Sequence, residues 1–230
     1  MKRFWREVTL ETVEGGYAIR LDGRPVKTPM KAELILPNDA IAAAVKTEWD
    51  SVGTDIDPAA MPMTGFANAA IDHVGAGRQK FIDSIAAYGE SDLLCYRAEE
   101  PEELVQRQQA AWDPWLNWAR ARYAVSFTVV AGVMHQPQPE STLAQLKQAV
   151  AGLSNWQLAA ALRLVPISGS LIALLVLTEG VAAADAIWPD LVTDELWQEH
   201  KWGADDYALK NRNDRQADFM NAACFLSCCA

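Results

Sequence analysis

Short apolar segments with strand-like spacing occupy the first 36 residues of the chain. Four such segments are recognisable: residues 5–10, 17–21, 24–29 and 32–36. Gly15-Gly16 separates the first two segments and Asp22-Gly23 separates the next two, and both dipeptides favour tight turns. The pattern therefore predicts a small antiparallel meander of four strands.

From residue 38 onward the apolar positions recur with the period of a helix. Asn38 is the expected N-cap of a first helix, which places Ile41 and Trp49 on its apolar face and ends at Gly53. Thr64 is the expected cap of the second helix. The same period covers later segments: residues 64–71, 81–88, 143–153, 156–165, 168–184 and a last helix from about 205.

Gly75 and Gly77 indicate a hinge between the two kinds of pattern. The predicted domains are therefore residues 1–75, which are β-rich with short helices, and residues 76–230, which are α-helical. The predicted fold class is α+β, in which a small N-terminal antiparallel β-rich domain precedes a larger all-helical domain.

Two segments of the helical part have features beyond the helical period: one contains a proline, and the other is almost wholly apolar. The acidic run at 99–103 opens a helix that Asp113-Pro114 is expected to kink or restart. The most apolar segment, 164–178, has 15 residues. A membrane span needs roughly 18 or more, so this segment predicts a buried core helix.

The charge of the chain is unevenly distributed. Its 20 Lys and Arg against 30 Asp and Glu give a net charge of −10 in 230 residues. The first 36 residues carry seven basic and five acidic side chains, a net of +2, so the remainder carries −12. A chain this acidic is unsuited to neutralising the phosphates of a nucleic acid, so we expect no nucleic-acid partner. Anionic lipid would repel it, and we expect no direct membrane insertion. Without a secretory signal, we expect a soluble, cytoplasmic protein.

No catalytic, cofactor-binding or metal-binding residues are predicted. The sequence contains no phosphate-binding loop, no nucleophile elbow and no HExxH motif, and its three histidines lie in unrelated segments. Cys224, Cys228 and Cys229 fit free thiols better than a metal site, and their role stays open. The alternative to a non-enzymatic protein is a small-molecule enzyme with a site between the two domains, using His73 or His200.

Nine tryptophans form the most unusual feature of the composition. Trp112, Trp115 and Trp118 cover one broad face of a helix, which fits either core packing or binding. Trp197 and Trp202 lie in a loop-like stretch among five acidic residues, a composition typical of a binding hot spot.

Several motifs, in this order, resemble the ATP12 family. They are FWREV (4–8), LDGRPVKTP (21–29), EWD (48–50), MPMTGFANAAID (61–72), SDLLCYRA (91–98), WDPWLNWA (112–119) and WG (202–203). LDGRPVKTP followed by DLLCYRA is the most specific part of the resemblance. The EWD motif is expected to pack domains together, because Trp49 falls on the apolar face of its helix.

The resemblance implies a molecular chaperone for assembly of the F1 sector of ATP synthase. Such a chaperone would bind the free F1-ATPase α subunit and shield its β-facing surface until β displaces it, without a cofactor. Eukaryotic relatives would act in the mitochondrial matrix. An acidic residue near the WG segment matters in the family, which here leaves Glu199, Asp205 and Asp206 as alternatives. The predicted partner-binding residues are Trp197, Glu199, Trp202, Gly203, Asp205 and Asp206.

Overall fold

The computed structural model describes residues 2–230 and begins with a small antiparallel sheet. Its strands are β1 (Val8–Val13), β2 (Gly16–Leu21), β3 (Arg24–Pro25) and β4 (Ile35–Leu36). β1 pairs with β2 along its whole length, whereas β3 and β4 pair with opposite ends of the other edge of β2. The predicted meander is therefore correct for the first three strands and wrong for the fourth, which returns to β2.

A glycine allows this return. Gly16 has a φ of +143°, and a Cβ atom at this position would lie 2.0 Å from the carbonyl oxygen of Leu36 on β4. Only glycine permits both the backbone angle and the close approach of the two strands. The Gly15-Gly16 dipeptide, which the sequence marks as a turn, therefore also allows β4 to approach β2 closely.

The first helix, α1 (Asp39–Ser51), begins as predicted at Asn38. The Asn38 side-chain oxygen accepts a hydrogen bond of 2.9 Å from the N–H of Ile41, which satisfies one free donor of the helix. Its amide nitrogen donates to the carbonyl oxygen of Cys228, also at 2.9 Å, and so links the first helix to the end of the chain. Trp49 is buried and packs against Trp5, which confirms its place on the apolar face.

The second helix is capped differently from the prediction. α2 (Pro62–Ala69) begins before Thr64, so Thr64 is not its N-cap. The carboxylate of Glu48 on α1 takes that role by accepting hydrogen bonds from the N–H groups of Met63 and Thr64, at 2.6 and 2.7 Å. The Thr64 hydroxyl donates to the same carboxylate at 2.7 Å. Glu48, in the EWD motif, therefore joins α1 to α2.

The chain remains helical across the predicted domain boundary. A π-helical turn (Ala70–Val74) connects α2 to α3 (Gly75–Ala86), and the helix kinks at Gly77, which has φ −126° and ψ 24°. The hinge signal of the glycines corresponds to this kink. The division of the chain into domains of residues 1–75 and 76–230 stays a prediction.

The rest of the fold is mostly helical. Short 3₁₀ turns lie at Pro58–Ala60, Ala87–Ser91 and Leu93–Cys95, and β5 (Tyr96–Arg97) pairs in parallel with β6 (Val130–Ala131). The remaining helices are α4 (Glu102–Tyr123), α5 (Glu140–Ala151), α6 (Asn155–Ser168), α7 (Leu171–Thr178), α8 (Ala184–Leu191), α9 (Thr193–Trp202) and α10 (Asp206–Ser227). A small N-terminal sheet followed by a mostly helical region confirms the predicted fold class.

Two helix predictions need correction. α4 continues through Pro114, so of the two expected effects the restart is wrong. The predicted helix over 168–184 is shorter, because Gly169 adopts the left-handed conformation before α7, and Gly180 does so in the turn after it. The apolar segment 164–178 is accordingly two buried helix segments, and across residues 2–230 we find no helix long and apolar enough to span a membrane.

The tryptophans of α4 belong to the core. Trp112 is only 1% exposed, and its indole N–H donates to the backbone oxygen of Asp190 at 2.6 Å. The Trp115 indole donates to the carboxylate of Asp190 at 2.7 Å, while burial raises the pKa of that carboxyl group. Trp118 is partly buried and contacts Tyr123 edge to face. Of the two roles considered for these tryptophans, core packing and binding, the structure therefore shows core packing.

A buried carboxylate organises the contact between the SDLLCYRA motif and α7. Asp92 is fully buried, and its carboxylate accepts hydrogen bonds of 3.0 Å from the N–H groups of Leu94 and Ile172. Burial raises the pKa of Asp92 to about 6, although the hydrogen bonds from Ile172 and Leu94 favour the charged form. Asp92 thereby anchors the first turn of α7.

Candidate partner-binding surface

The acidic stretch with Trp197 and Trp202 is a helix rather than the loop-like segment expected from sequence. α9 has Asp194 and Glu195 in its first turn and His200 and Lys201 in its last. Acidic residues at the start and basic residues at the end of a helix both interact favourably with its dipole. The order of these charges along the segment therefore favours a helix.

The turn between α9 and α10 contains two of the predicted binding residues, and a third begins α10. Gly203 has a φ of +88°, and its N–H donates to the carbonyl oxygen of Glu199 at 2.9 Å. The Asp205 carboxylate accepts from the N–H of Ala208 at 2.7 Å and so caps α10, while Asp206 is exposed in the first turn of that helix. Gly203 and Asp205 therefore have local structural roles, and Asp206 is free to face a partner.

The two tryptophans of α9 are placed very differently. Trp202 is 74% exposed, whereas Trp197 is only 7% exposed. Their rings contact each other edge to face at a centroid distance of 5.5 Å. Sequence reasoning missed Tyr207, which is 80% exposed, and Leu196, which is also exposed on α9. Trp202 and Tyr207 thus offer apolar surface to solvent, and Trp197 supports Trp202 from below.

The acidic residues of the stretch are less available than the sequence suggests. Glu199 forms an ion pair with Arg212, and both carboxylate oxygens of Glu195 accept from one nitrogen of Arg215, at 2.5 and 2.6 Å. The two arginines lie on α10 and are 13 and 20 residues away in the chain. Local composition could not reveal this neutralisation, because it depends on how α9 packs against α10.

Side chains of α4 hold α9 in place on its other side. The Lys201 amine lies 2.7 Å from the carboxylate of Glu103, and this hydrogen bond lowers the pKa of Glu103. The buried Gln108 donates to Asp194 at 2.8 Å and accepts from the N–H of Ala98 at the same distance. Both ends of α9 are therefore fixed to α4.

A cleft of about 450 Å³ opens between α9 and α10 beneath Trp202. It is lined by Glu195, Gln198, Glu199, Trp202, Gly203, Ala204, Asp205, Ala208, Leu209 and Arg212. Four of the six predicted partner-binding residues line this cleft: Glu199, Trp202, Gly203 and Asp205. Asp206 is the next residue in the chain, and the Trp197 ring contacts the ring of Trp202. An exposed aromatic rim above a polar cleft is suited to reversible contact with another protein.

The residues considered for an enzyme are dispersed. His73 is exposed in the π-helical turn after α2, and His200 is exposed on α9. Cys224 is exposed, and Cys228 and Cys229 are partly buried at the end of α10. Within residues 2–230, no cluster of three or more His, Cys, Asp or Glu side chains has an arrangement that could hold a metal ion.

Comparison with known proteins decides the family. The model of the family described as ATP12 chaperone protein matches residues 2–120, which is more than half of the chain. The chain belongs to the ATP12 chaperone family. The resemblance seen in the sequence motifs is thereby confirmed.

Relatives of this ATP12-family chain extend the similarity to its C-terminal helices. The atp12 protein of Schizosaccharomyces pombe, named as mitochondrial, is 22% identical over 99% of this chain and 82% of its own length. The crystal structure of Atp12 from Paracoccus denitrificans is 37% identical, with a TM-score of 0.95 over 100% of this chain and 98% of that one. The Atu1473 protein of Agrobacterium tumefaciens is 38% identical, with a TM-score of 0.94 over 98% and 85% of the two chains.

Proposed function

We propose that this ATP12-family protein is an assembly chaperone for the F1 sector of ATP synthase. It binds the free α subunit, shields the surface that α offers to β, and releases α when β displaces it. Family membership supports the chaperone role. The observation that supports the location of the binding surface is the exposed pair of aromatic residues, Trp202 and Tyr207, at the junction of α9 and α10.

The exposed aromatics provide binding energy in a form that suits a chaperone. Tryptophan and tyrosine contribute large contact areas and are over-represented among residues that dominate interface energies. The Trp202 ring already contacts Trp197, and Lys201 next to it is paired with Glu103. Because Trp202 is held in this way before binding, it loses less conformational entropy when a partner covers it.

The charges around the aromatics favour selective and reversible contact. Asp206 is exposed beside Tyr207, and the capping carboxylate of Asp205 lines the cleft. Like charges on two copies of this acidic chain repel each other, which opposes self-association through the aromatic patch. A few aromatic anchors with a charged rim give an affinity that the β subunit can overcome by competition.

The six predicted residues divide into two groups under this proposal. Trp202 and Asp206 contact the α subunit directly. The others position them: Trp197 supports the ring, Gly203 makes the turn, and Glu199 ties α9 to Arg212, while Asp205 caps α10 and also adds its charge to the rim.

Binding of purified F1 α subunit to immobilised chaperone tests the surface. Replacing Trp202 with alanine should weaken the affinity about 30-fold, equivalent to the roughly 2 kcal/mol of an interface hot spot. Trp202→Phe should retain part of the affinity, because it keeps an aromatic ring. Met30→Ala is the matched control, since Met30 is also exposed but lies in the turn between β3 and β4. A Kd for Trp202→Ala within twofold of the Met30→Ala value would refute the assignment.

The charge contribution is tested without disturbing the fold. Asp205→Asn keeps a good capping side chain and removes one charge, and Asp206→Asn removes the second. Both should weaken binding at low salt, and the difference from the native protein should shrink as salt screens the charges.

Shielding is tested by adding purified F1 β subunit to the preformed complex of chaperone and α. Stoichiometric release of the chaperone is expected, together with suppression of α aggregation before β is added. A stable ternary complex would show that the chaperone binds α on another face, and would leave the Trp202 result unaffected.

A further inference from the structure

A second groove lies beside the candidate surface, between the β5–β6 pair and the junction of α4 with α9. Its volume is about 580 Å³, and it is lined by Leu93, Tyr96, Arg97, Ala98, Glu99, Glu100, Gln108, Trp112, Gly132, Val133 and Asp194. The partly buried side chains of Leu93 and Tyr96 give it an apolar floor, whereas Trp112, which also lines it, is almost completely buried. At its rim, Val133 is 94% exposed, and the neighbouring Met134 is also exposed.

Three carboxylates face this groove without a cationic partner. Glu99, Glu100 and Asp194 line it, and none of them forms an ion pair among the residues that the structure describes. Asp194 accepts only from the neutral amide of Gln108. The one basic side chain in the lining, Arg97, is committed to Asp113 at 2.7 Å. The groove therefore combines an apolar floor with uncompensated negative charge.

The groove continues toward Trp202 along α9. A smaller depression of about 260 Å³ shares Leu93, Trp112 and Asp194 with it and reaches Glu195. Glu195 also lines the cleft beneath Trp202. The three depressions thus form a row through their shared lining residues, with exposed apolar side chains at Val133 and at Trp202. Arg215 and Arg212 line the part near Trp202 and pair with Glu195 and Glu199, so the unpaired negative charge of the row is concentrated in the groove at Glu99, Glu100 and Asp194.

We propose that this row is a docking track for one extended, basic segment of the client protein. Apolar side chains of the segment lie on Leu93 and Tyr96, and its Lys or Arg side chains pair with Glu99, Glu100 and Asp194. This inference rests on the proposed function, since the client is the α subunit held at Trp202. The eight residue steps of α9 from Asp194 to Trp202 span about 12 Å, which corresponds to about four residues of extended chain.

The chemistry of the track favours this occupant over others. A second copy of the chain would bring its own net charge of −10 toward unpaired carboxylates. An extended peptide can follow the row from Val133 to Trp202, and its basic side chains match the charge that the row lacks. Its length also explains why apolar anchors are exposed at both ends.

Binding of a defined peptide tests the track independently of the α subunit. The probe is a fluorescein-labelled ten-residue peptide of alternating leucine and arginine, measured by fluorescence anisotropy at low salt. The double substitution Glu99→Lys/Glu100→Lys should weaken its binding at least tenfold. Glu7→Lys/Glu14→Lys, which makes the same change in charge at exposed positions of the β-sheet region, should leave it within twofold.

A second pair of variants tests the apolar end. Val133→Asn should weaken binding of the peptide and of the α subunit, because it replaces an apolar docking side chain with a polar one and leaves the charge unchanged. Val181→Asn is its control, since Val181 is also exposed and does not line the track. Equal binding by the two asparagine variants would overturn the proposal, as would equal binding of a peptide of leucine and glutamate. Self-association of the native chain that Val133→Asn abolishes would assign the track to a second copy and overturn it as well.

The two proposals fail in different ways. If Trp202→Ala loses the α subunit while the groove variants retain it, the track is wrong and the chaperone function stands. If the native protein binds the basic peptide through the track but does not bind α, the proposed function is wrong and the track stands.

Discussion

Glu48 should be among the most important polar residues for stability, although it is only half buried. Its carboxylate accepts three hydrogen bonds, of 2.6, 2.7 and 2.7 Å, from Met63 and Thr64 at the start of α2. The N-cap residue, Met61, makes no capping hydrogen bond with its own side chain, and within residues 2–230 the first N–H groups of α2 find their side-chain acceptor in Glu48. Replacing Glu48 with alanine therefore leaves the first turn of α2 without its partner.

The expected cost follows from the number and type of these bonds. A hydrogen bond to a charged group contributes about 1.5–3 kcal/mol, and bonds that share one carboxylate do not add fully. Thr64 is buried, so water can replace the lost acceptor only in part. We expect Glu48→Ala to lower the free energy of unfolding by about 3–4 kcal/mol, a large share of the roughly 5–15 kcal/mol of a typical domain. Glu48→Gln, which keeps one acceptor oxygen, should cost about 2 kcal/mol.

Urea unfolding followed by circular dichroism and tryptophan fluorescence measures these values. Asp50→Ala is the matched control, because Asp50 lies two residues further along the same helix in an exposed ion pair with Lys46. An exposed pair of this kind contributes at most about 0.5 kcal/mol. If Glu48→Ala costs no more than Asp50→Ala, the carboxylate does not cap α2 in solution and the explanation is wrong.

Two further substitutions test the fold. Gly16→Ala should lower the free energy of unfolding in urea by more than about 2 kcal/mol, because the added Cβ would lie 2.0 Å from the carbonyl oxygen of Leu36. Gly53→Ala is the control: its Cβ would have no atom within 4 Å, so it should change stability by less than about 0.5 kcal/mol. Burial raises the pKa of Asp92 to about 6. At pH 5 the Asp92 carboxyl group is therefore mostly protonated in the folded protein and mostly ionised in the unfolded chain. This difference makes the folded protein about 1 kcal/mol more stable at pH 5 than at pH 7. The stability difference between the native protein and Asp92→Asn should therefore be larger at pH 5, and a difference that does not vary with pH would contradict the buried carboxylate.

Signals confined to a few neighbouring residues predicted the fold well. Asn38 caps α1 through Ile41, three residues away, and Asp205 caps α10 in the same way. Thr64 was assigned wrongly because its helix is capped by Glu48, which lies 16 residues earlier and on another helix. A local pattern cannot show that the better acceptor comes from elsewhere in the chain.

The candidate site shows the same limit. The acidic stretch around Trp202 is recognisable from composition, and the Trp202 ring is exposed. Its role in binding a partner stays a prediction. The burial of Trp197 and the pairing of Glu199 with Arg212 depend on how α9 packs against α4 and α10. Tyr207 was missed because a single tyrosine in a polar sequence carries no signal of its exposure.

The bond between Asn38 and Cys228 has a consequence for synthesis of the chain. Phe225, three residues before Cys228, packs against Phe66 of α2 and is completely buried. Helices α1 and α2 therefore gain part of their core and capping contacts from a segment that is synthesised more than 150 residues after them. A chain cut before Phe225 should expose an open apolar seam along α2, so during synthesis this face of α2 stays uncovered until the segment 225–228 has left the ribosome.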